Sequence, residues 1–484
     1  MYRARLGKNL DKHTLEYVSS ISDDAEIAIY DIVGSQAHTI MLYENKIISK
    51  DEAKKILRAL EMLKKEDLDD KSGAEDIHEL IESLVVKKIG MQVGGKMHTA
   101  RSRNDQVALD LRMKIRDDIN VICDCILDLV ETLIRLAEKH TNTTMPLYTH
   151  LQQAQIGTLS HYLLSHSDVL LRDFERLYSS FERVNQSPLG AGPVGGTSLP
   201  INRNSTARML GFSQIVENTI DATSSRDVVA EYVGAVSILM TNLSRIAEDL
   251  VIWSTSEFSF VELSDQFSSP SSVMPQKKNP DILELTRGKT ARVIGNLVAV
   301  LSSLKGLASG YGRDLQEIKP AVFSSSKIAI SALVILNSMF ATLKVNKDKI
   351  REAAESGYLT ALDVAEALVK EGVAFRTAHK VVGSLVQAAH QKNKPLSELT
   401  EHEIKSAQKE FDAKKLHSII SSIDAEYSLK ARSSAGSAGI AQQKKMIAVR
   451  KTKVLKYRQS MKKRTALISS TIAALSRKIQ NLTK

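Results

Sequence analysis

Proline and aromatic residues are scarce here, at nine prolines and 5% aromatics in 484 residues. Proline breaks helices and aromatic side chains are enriched in strands, so the shortage argues against a sheet-built fold and for long uninterrupted helices. Cysteine is scarcer still. Cys123 and Cys125 are the two present; two positions apart in a helical pattern they point to nearly opposite faces, which makes a mutual disulfide geometrically poor, and they read as reduced, buried thiols. The twelve histidines have no zinc-binding spacing, so no metal site is expected. There is also no isolated apolar run of membrane-spanning length and no charged-then-apolar leader, since the opening MYRARLGKNLDKH is mostly polar. A cytoplasmic protein without a membrane partner is the expectation.

What is present is an ordinary globular composition, 43% hydrophobic and 25% charged, rich in Leu, Ile, Ala, Lys and Glu. The fold class this implies is all-α. The net charge of +10 is unevenly placed: residues 441–484 carry thirteen Lys or Arg and no acid, more than the whole net charge, so the preceding body is close to neutral. Helical apolar spacing predicts one very long helix from Asp105 to about His140, then others near Leu151 to Arg183, Ser225 to Ser256, Asp281 to Leu307 and Val322 to Ala341. Five such elements predict a central bundle over 105–345, preceded by a mostly helical unit over 1–104 and followed by a small helical domain over 346–440. Several carry apolar residues on more than one side, as in EYVGAVSILMTNLSRIAEDLVIW, which predicts burial between subunits of a homo-oligomer. In the basic tail, 441–484, Ile447, Val454, Met461, Ile468, Leu475 and Leu482 recur every seven residues and predict a helix packed along a partner helix.

The chemistry concentrates in polar loops between these helices. Ser268 to Asp281, SSPSSVMPQKKNPD, combines adjacent serines, two lysines, an asparagine and three prolines. LYTHLQQAQ, from Leu147, brings Thr149 and His150 together; MHTARSRNDQV carries Ser102, Arg103 and Asn104; SSISDDAE carries Ser20 and Asp24; and YGRDLQEIK carries Tyr311, Gln316 and Lys319. Arginine forks suit carboxylates, and an imidazole titrating near neutrality suits proton donation. A cluster of Arg, Ser and Asn before a long helix also makes an anion-facing cap. The run GAGPVGG has Gly190, Gly192 and Gly195 at dinucleotide-fingerprint spacing, but no strand precedes it and Pro193 removes a backbone donor, so it reads as a turn.

The serine loop resembles the signature of the fumarase and argininosuccinate lyase superfamily at Ser271, Ser272, Met274, Pro275, Lys277, Asn279 and Pro280. Within that superfamily, Gln276 to Asn279 with Asp281, together with RSRNDQ and DLQE, resembles the argininosuccinate lyase family rather than adenylosuccinate lyase, fumarase or aspartase. The resemblance runs over roughly residues 17 to 440. It implies a cofactor-free homotetramer with active sites shared between subunits. It also implies that Ser271, or Ser272 in another register, is the base that removes a proton beside a carboxylate. Lys277 and Asn279 would stabilise the resulting anion, His150 at the start of a long helix would be the acid, and Glu284 would orient it. Ser20, Asp24, Ser102, Arg103, Asn104, Thr149, Tyr311, Gln316 and Lys319 would bind argininosuccinate. His78, in EDIH, would lie near the site. A non-catalytic structural descendant is the competing expectation, and it gives no physical reason to keep these polar groups. Nucleic-acid contact by the tail is a further one, less favoured because the apolar seam is regular.

Overall fold

Capping boxes start two of the helices that matter most. The computed structural model describes residues 10–66, 68 and 73–484. An N-terminal layer is formed by α1 (Ala28–Glu44), α2 (Lys50–Leu63) and α3 (Ile77–Ile89), with Ser49 and Glu52 satisfying each other's backbone amides at the start of α2. Ser102 and Asp105 do the same for α4 (Arg103–Lys139), whose 37 residues reach about 55 Å at ~1.5 Å per residue. With α5 (Leu159–Val184), α6 (Asp227–Trp253), α7 (Asp281–Leu304) and α8 (Ile318–Thr342), α4 builds the central bundle. Its core is aliphatic: Ile115, Ile119, Ile122, Ile126, Leu129 and Leu133 of α4 are fully buried, as are Val233, Val236, Leu239 and Leu243 of α6. The fold is all-α, with only short strand pairs among the described residues.

The expected helix from Leu151 begins eight residues later. Residues 144–158 instead form an antiparallel hairpin, β1 (Thr144–Thr149) and β2 (Gln152–Thr158), and α5 starts only where the Thr158 hydroxyl caps the His161 amide at 3.1 Å. Gly157 is required by the pairing, because a Cβ there would sit 2.5 Å from the Leu147 side chain. Thr149 and His150 therefore stand at a hairpin tip and not at the start of a helix. Ile156 is a fully buried strand residue.

Beyond the bundle, α9 (Ala361–Lys370), α10 (Phe375–Gln391), α11 (Glu401–Ala407) and α12 (Ala413–Ser422) close on a core of their own around Val364, Leu368, Leu385 and Ile420. The tail is one helix, α13 (Ile440–Thr483), and it packs along α4 and α5 of its own chain. Ile447, Val454, Met461, Leu475 and Ile479 are buried in that contact. Of the six positions in the seven-residue pattern, Ile447, Val454, Met461 and Leu475 are buried and Ile468 and Leu482 half-buried, and the helices that receive them belong to the same chain. The charges follow: Lys453 pairs with Glu175 at 2.7 Å, Arg458 with Glu131 at 3.0 Å, and Arg450 and Lys451 with Asp168 and Glu138. Arg464 stacks over Tyr178 and Phe181, each at 4.2 Å. The helical stretch Arg313–Thr342 has the length and composition to cross a membrane, but 56% of its most apolar window is buried inside the protein, as for a core helix.

Candidate active site

At one end of the bundle, residues almost three hundred positions apart form a closed polar cluster. Lys319, near the start of α8, donates to the Ser20 hydroxyl at 3.0 Å and to Asp24, while Ser20 donates to Asp24 at 2.8 Å. All three are buried, Lys319 at 3% exposure. Gln316 donates to the Val18 carbonyl at 3.2 Å. Tyr311 is partly buried within electrostatic reach of Arg226, Arg313, Asp76 and Asp24, and burial raises its hydroxyl. Arg103 pairs with Asp76 at 2.7 Å, Ser102 caps α4, and Asn104 donates to the Pro193 carbonyl at 3.0 Å. Eight of the nominated residues therefore lie at this end.

At the opposite end, short strands β3 (Ser269–Pro270) and β4 (Lys278–Asn279) pair and hold residues 271–277 out as a loop before α7. The Ser271 hydroxyl oxygen accepts the amide hydrogens of Val273 at 3.2 Å and Met274 at 3.0 Å. Two fixed donors on one oxygen favour its alkoxide. Lys278 is tied to Glu262 at 3.0 Å and to Asp265 at 2.7 Å, whereas Lys277 has no carboxylate at ion-pair distance among the described residues. Lys277, Asn279 and Glu284 line an open cleft of 810 Å³ together with Gln276 and Asp281. Glu284 has a distant partner in Arg287, at 3.9 Å.

Thr149 and His150 also belong near this end, where Tyr148 meets Phe258 with ring centroids 6.3 Å apart, but neither they nor Ser271 line the cleft that Lys277 lines. His150 and Leu151 both have positive φ, 54° and 57°, and Leu151 is 80% exposed. Such backbone is costly for residues with a Cβ, and strain of this kind concentrates at functional sites. The two ends are separated by the length of α7, whose 24 residues span about 36 Å at ~1.5 Å per residue. One chain thus holds the nominated residues at both ends and does not bring them together.

Behind Arg103 lies an ionic cluster that the sequence reading mostly overlooked. His78 donates from Nδ1 to Asp31 at 2.9 Å, with Asp110 at 3.6 Å. Burial pulls the imidazole down, yet Asp31, Asp76 and Asp110 push it up to about 9. Asp110, buried beside Asp31, is pushed well above the usual carboxylate range, and Gln106 donates to Asp31 at 2.8 Å. The ligand atoms of Asp31, His78 and Asp110 lie within 4.8 Å of one another, but a metal would have to displace the proton His78 holds. Asp105 is the other organiser missed; only its place three residues after Ser102, a capping-box spacing, marked it in the sequence.

Comparison with known proteins decides the family. Residues 4–295 match the family described as lyase, and residues 358–427 match the argininosuccinate lyase C-terminal family. An argininosuccinate lyase of Nitrosopumilus maritimus is 64% identical over 484 residues, covering all of both chains. The chain belongs to the argininosuccinate lyase family. Another argininosuccinate lyase, from Desulforamulus reducens, is 44% identical over 89% of this chain and 94% of its own. Among solved structures, an EDDS lyase variant with bound fumarate superposes with a TM-score of 0.89 at 28% identity, over 97% of this chain and 94% of that one. A class II fumarase from Schistosoma mansoni, at 15% identity and a TM-score of 0.73, shares the fold over 84% of this chain and 91% of its own. Within the argininosuccinate lyase family, an all-α bundle with its polar loops at both ends is what this sequence builds.

Proposed function

We propose that the protein splits argininosuccinate into arginine and fumarate, with each active site assembled from different subunits of a homotetramer. Ser271, as alkoxide, takes the proton from the carbon beside a succinyl carboxylate. The electron pair left on carbon delocalises into that carboxylate as an aci-carboxylate, which the Lys277 ammonium and Asn279 amide stabilise; one such fixed donor is worth about 3 kcal/mol. The pair then forms the carbon–carbon double bond of fumarate as the carbon–nitrogen bond breaks, and His150 protonates the departing guanidinium nitrogen. Glu284 orients His150. Ser20, Asp24, Lys319, Tyr311 and Gln316 hold the polar groups of the substrate together with Ser102, Arg103, Asn104 and Thr149.

The observation that carries this reading is the Ser271 oxygen accepting two backbone amides on the loop whose Lys277, without a carboxylate at ion-pair distance among the described residues, lines an open cleft. Subunit sharing is supported by the separation of the two ends and by a bare apolar stripe on α7. Ile294, Val298 and Leu301 recur at helical spacing and are exposed, Val298 at 58%. A second copy covering that stripe would carry one end of its own bundle to the other end of this one. We place the enzyme in the cytoplasm, in keeping with its free thiols. Five of the thirteen tail cations, Arg450, Lys451, Lys453, Arg458 and Lys478, pair with acids of the same chain, and with the buried apolar seam this supports a packing role over nucleic-acid contact.

The test follows fumarate absorbance with argininosuccinate, adenylosuccinate, malate and aspartate as separate substrates. Release from argininosuccinate alone is expected; inactivity on it with turnover of another would overturn the assignment.

A further inference from the structure

The glycine-rich run that mimics a nucleotide-binding fingerprint does bind an anion, and the anion is internal. Gly190 and Gly192 have φ of 84° and 65°, which turns both amides to one side. They donate to the same Asp105 oxygen at 2.9 and 2.8 Å, while the other Asp105 oxygen accepts the Ser102 amide at 3.0 Å. Asp105 is fully buried, and all three of these partners are donors. Its carboxylate thus occupies the backbone nest that a phosphate would fill in a nucleotide-binding loop. From the nest the chain continues into an exposed stretch, Pro193 to Gly195, and the Pro193 carbonyl accepts from Asn104.

We propose that Asp105 is a positioning residue for the lyase reaction. It fixes the Gly190–Gly196 loop as a wall of the substrate-binding end, and through that loop it sets the Asn104 amide and the Ser102 cap in place for the substrate. This rests on the functional reading above. Asp105 touches no substrate in this scheme; it acts by what it holds.

The chemistry of the nest gives the inference a pH signature. Burial pushes the Asp105 carboxyl up to about 6, against the three amides and the nearby cation Arg101, with Arg203 as the other cation in reach. The carboxylate accepts from all three donors with its full charge, whereas protonation puts a hydrogen on one oxygen and weakens it as an acceptor. The held loop is therefore the form present above pH 6, and it is released as pH falls through that value.

The experiment compares KM and kcat for argininosuccinate in the full-length wild type, Asp105→Asn, Gly192→Ala and the double variant between pH 5 and 8. Gly192→Ala attacks the same nest from the loop side, since a Cβ there meets the Gly196 carbonyl at 3.1 Å and φ is positive. Each single variant is expected to raise KM about tenfold at pH 7.5 with kcat changed less than about threefold, and the double variant to be no worse than the worse single, the non-additivity of one coupled unit. Wild-type KM should rise below pH 6, and the Asp105→Asn profile should be flat there. Unchanged KM in Gly192→Ala, additive effects, or an Asp105→Asn profile that still bends near 6 would overturn the proposal. A wild type inactive on argininosuccinate would instead overturn the functional reading, so the two failures are distinguishable.

Discussion

At the Lys319 end of the bundle, polar groups meet before any ligand arrives; at the Ser271 end they wait. Ser20, Asp24 and Lys319 are buried and bonded to one another, and Asp105 and His78 are buried behind them. Ser272, Lys277, Glu284, Thr149 and His150 are exposed, and Ser271 relies on local backbone. The physical lesson is a division of labour. Recognition of a large polar substrate needs groups preset with little reorganisation, and a single chain supplies that by burial. On the proposed mechanism the reacting groups stand on a loop and a hairpin tip that one chain leaves uncovered, so the proposal makes chemistry conditional on assembly.

The largest effect should come from the helix that touches both ends. α13 starts beside the hairpin, where the Thr158 hydroxyl bonds to Gln443 at 2.9 Å, and finishes with Leu475 and Ile479 packed against Ile40, Leu109 and Leu189 behind the RSRND segment. Its five buried apolar side chains are worth about 1.5–3 kcal/mol each, which together rival the whole stability of a typical domain. Deletion of residues 445–484 should therefore abolish soluble folded protein, read by expression and circular dichroism. A soluble truncated chain with full activity would show the strap to be dispensable.

Next in size is the contrast between one substitution at each end. Ser271→Ala should lower kcat about a thousandfold through loss of the base, with the unfolding midpoint unchanged because the site is solvated. Lys319→Met should instead destabilise the fold by about 3–5 kcal/mol, since it leaves Asp24 buried without its cation. Urea unfolding of both variants beside fumarate assays measures the pair. Equal midpoints would erase the distinction between a preset end and a waiting one.

The assembly itself can be tested by mixing. Ser271→Ala and Arg103→Met chains, altered at opposite ends and each inactive alone, should regain roughly a quarter of wild-type activity when unfolded together and reassembled, because about a quarter of shared sites then draw both groups from intact segments. No recovery despite mixed oligomers would place both groups on one chain.

The sequence made one of these ends far more legible than the other. The serine loop is contiguous, so its donors and lysine are visible as a string, and the bundle helices follow from apolar period and caps. The hairpin was invisible for a local reason: a two-residue turn usually announces itself with Asn-Gly, and His150-Leu151 takes the same positive-φ geometry without that signal. The Ser20, Asp24 and Lys319 contact joins segments that no local pattern connects, so only the family resemblance nominated them. Asp31 and Asp110 were beyond reach because each sits on a helix face indistinguishable by spacing from core positions; a histidine on a third helix donates to Asp31, while burial beside Asp31 pushes Asp110 toward its protonated form.

The smallest effect tests whether the buried end owes part of its order to that histidine. His78 is held near 9 in the folded chain against roughly 6.5 for a free imidazole, so its folded-state affinity for the proton is raised. Below pH 6.5 both states are protonated and the stabilisation is fully present. Between 6.5 and 9 the unfolded chain loses the proton while the folded chain keeps it, and stability falls by up to about 1.4 kcal/mol per pH unit; above 9 the contribution is gone. Urea unfolding of wild type at intervals from pH 6 to 9.5 should show this decline, and His78→Gln should flatten it while starting from a lower midpoint at pH 6. Parallel slopes in the two proteins would mean that the proton is not held there, and the preset end would then depend on the Lys319 contacts and Asp105 alone.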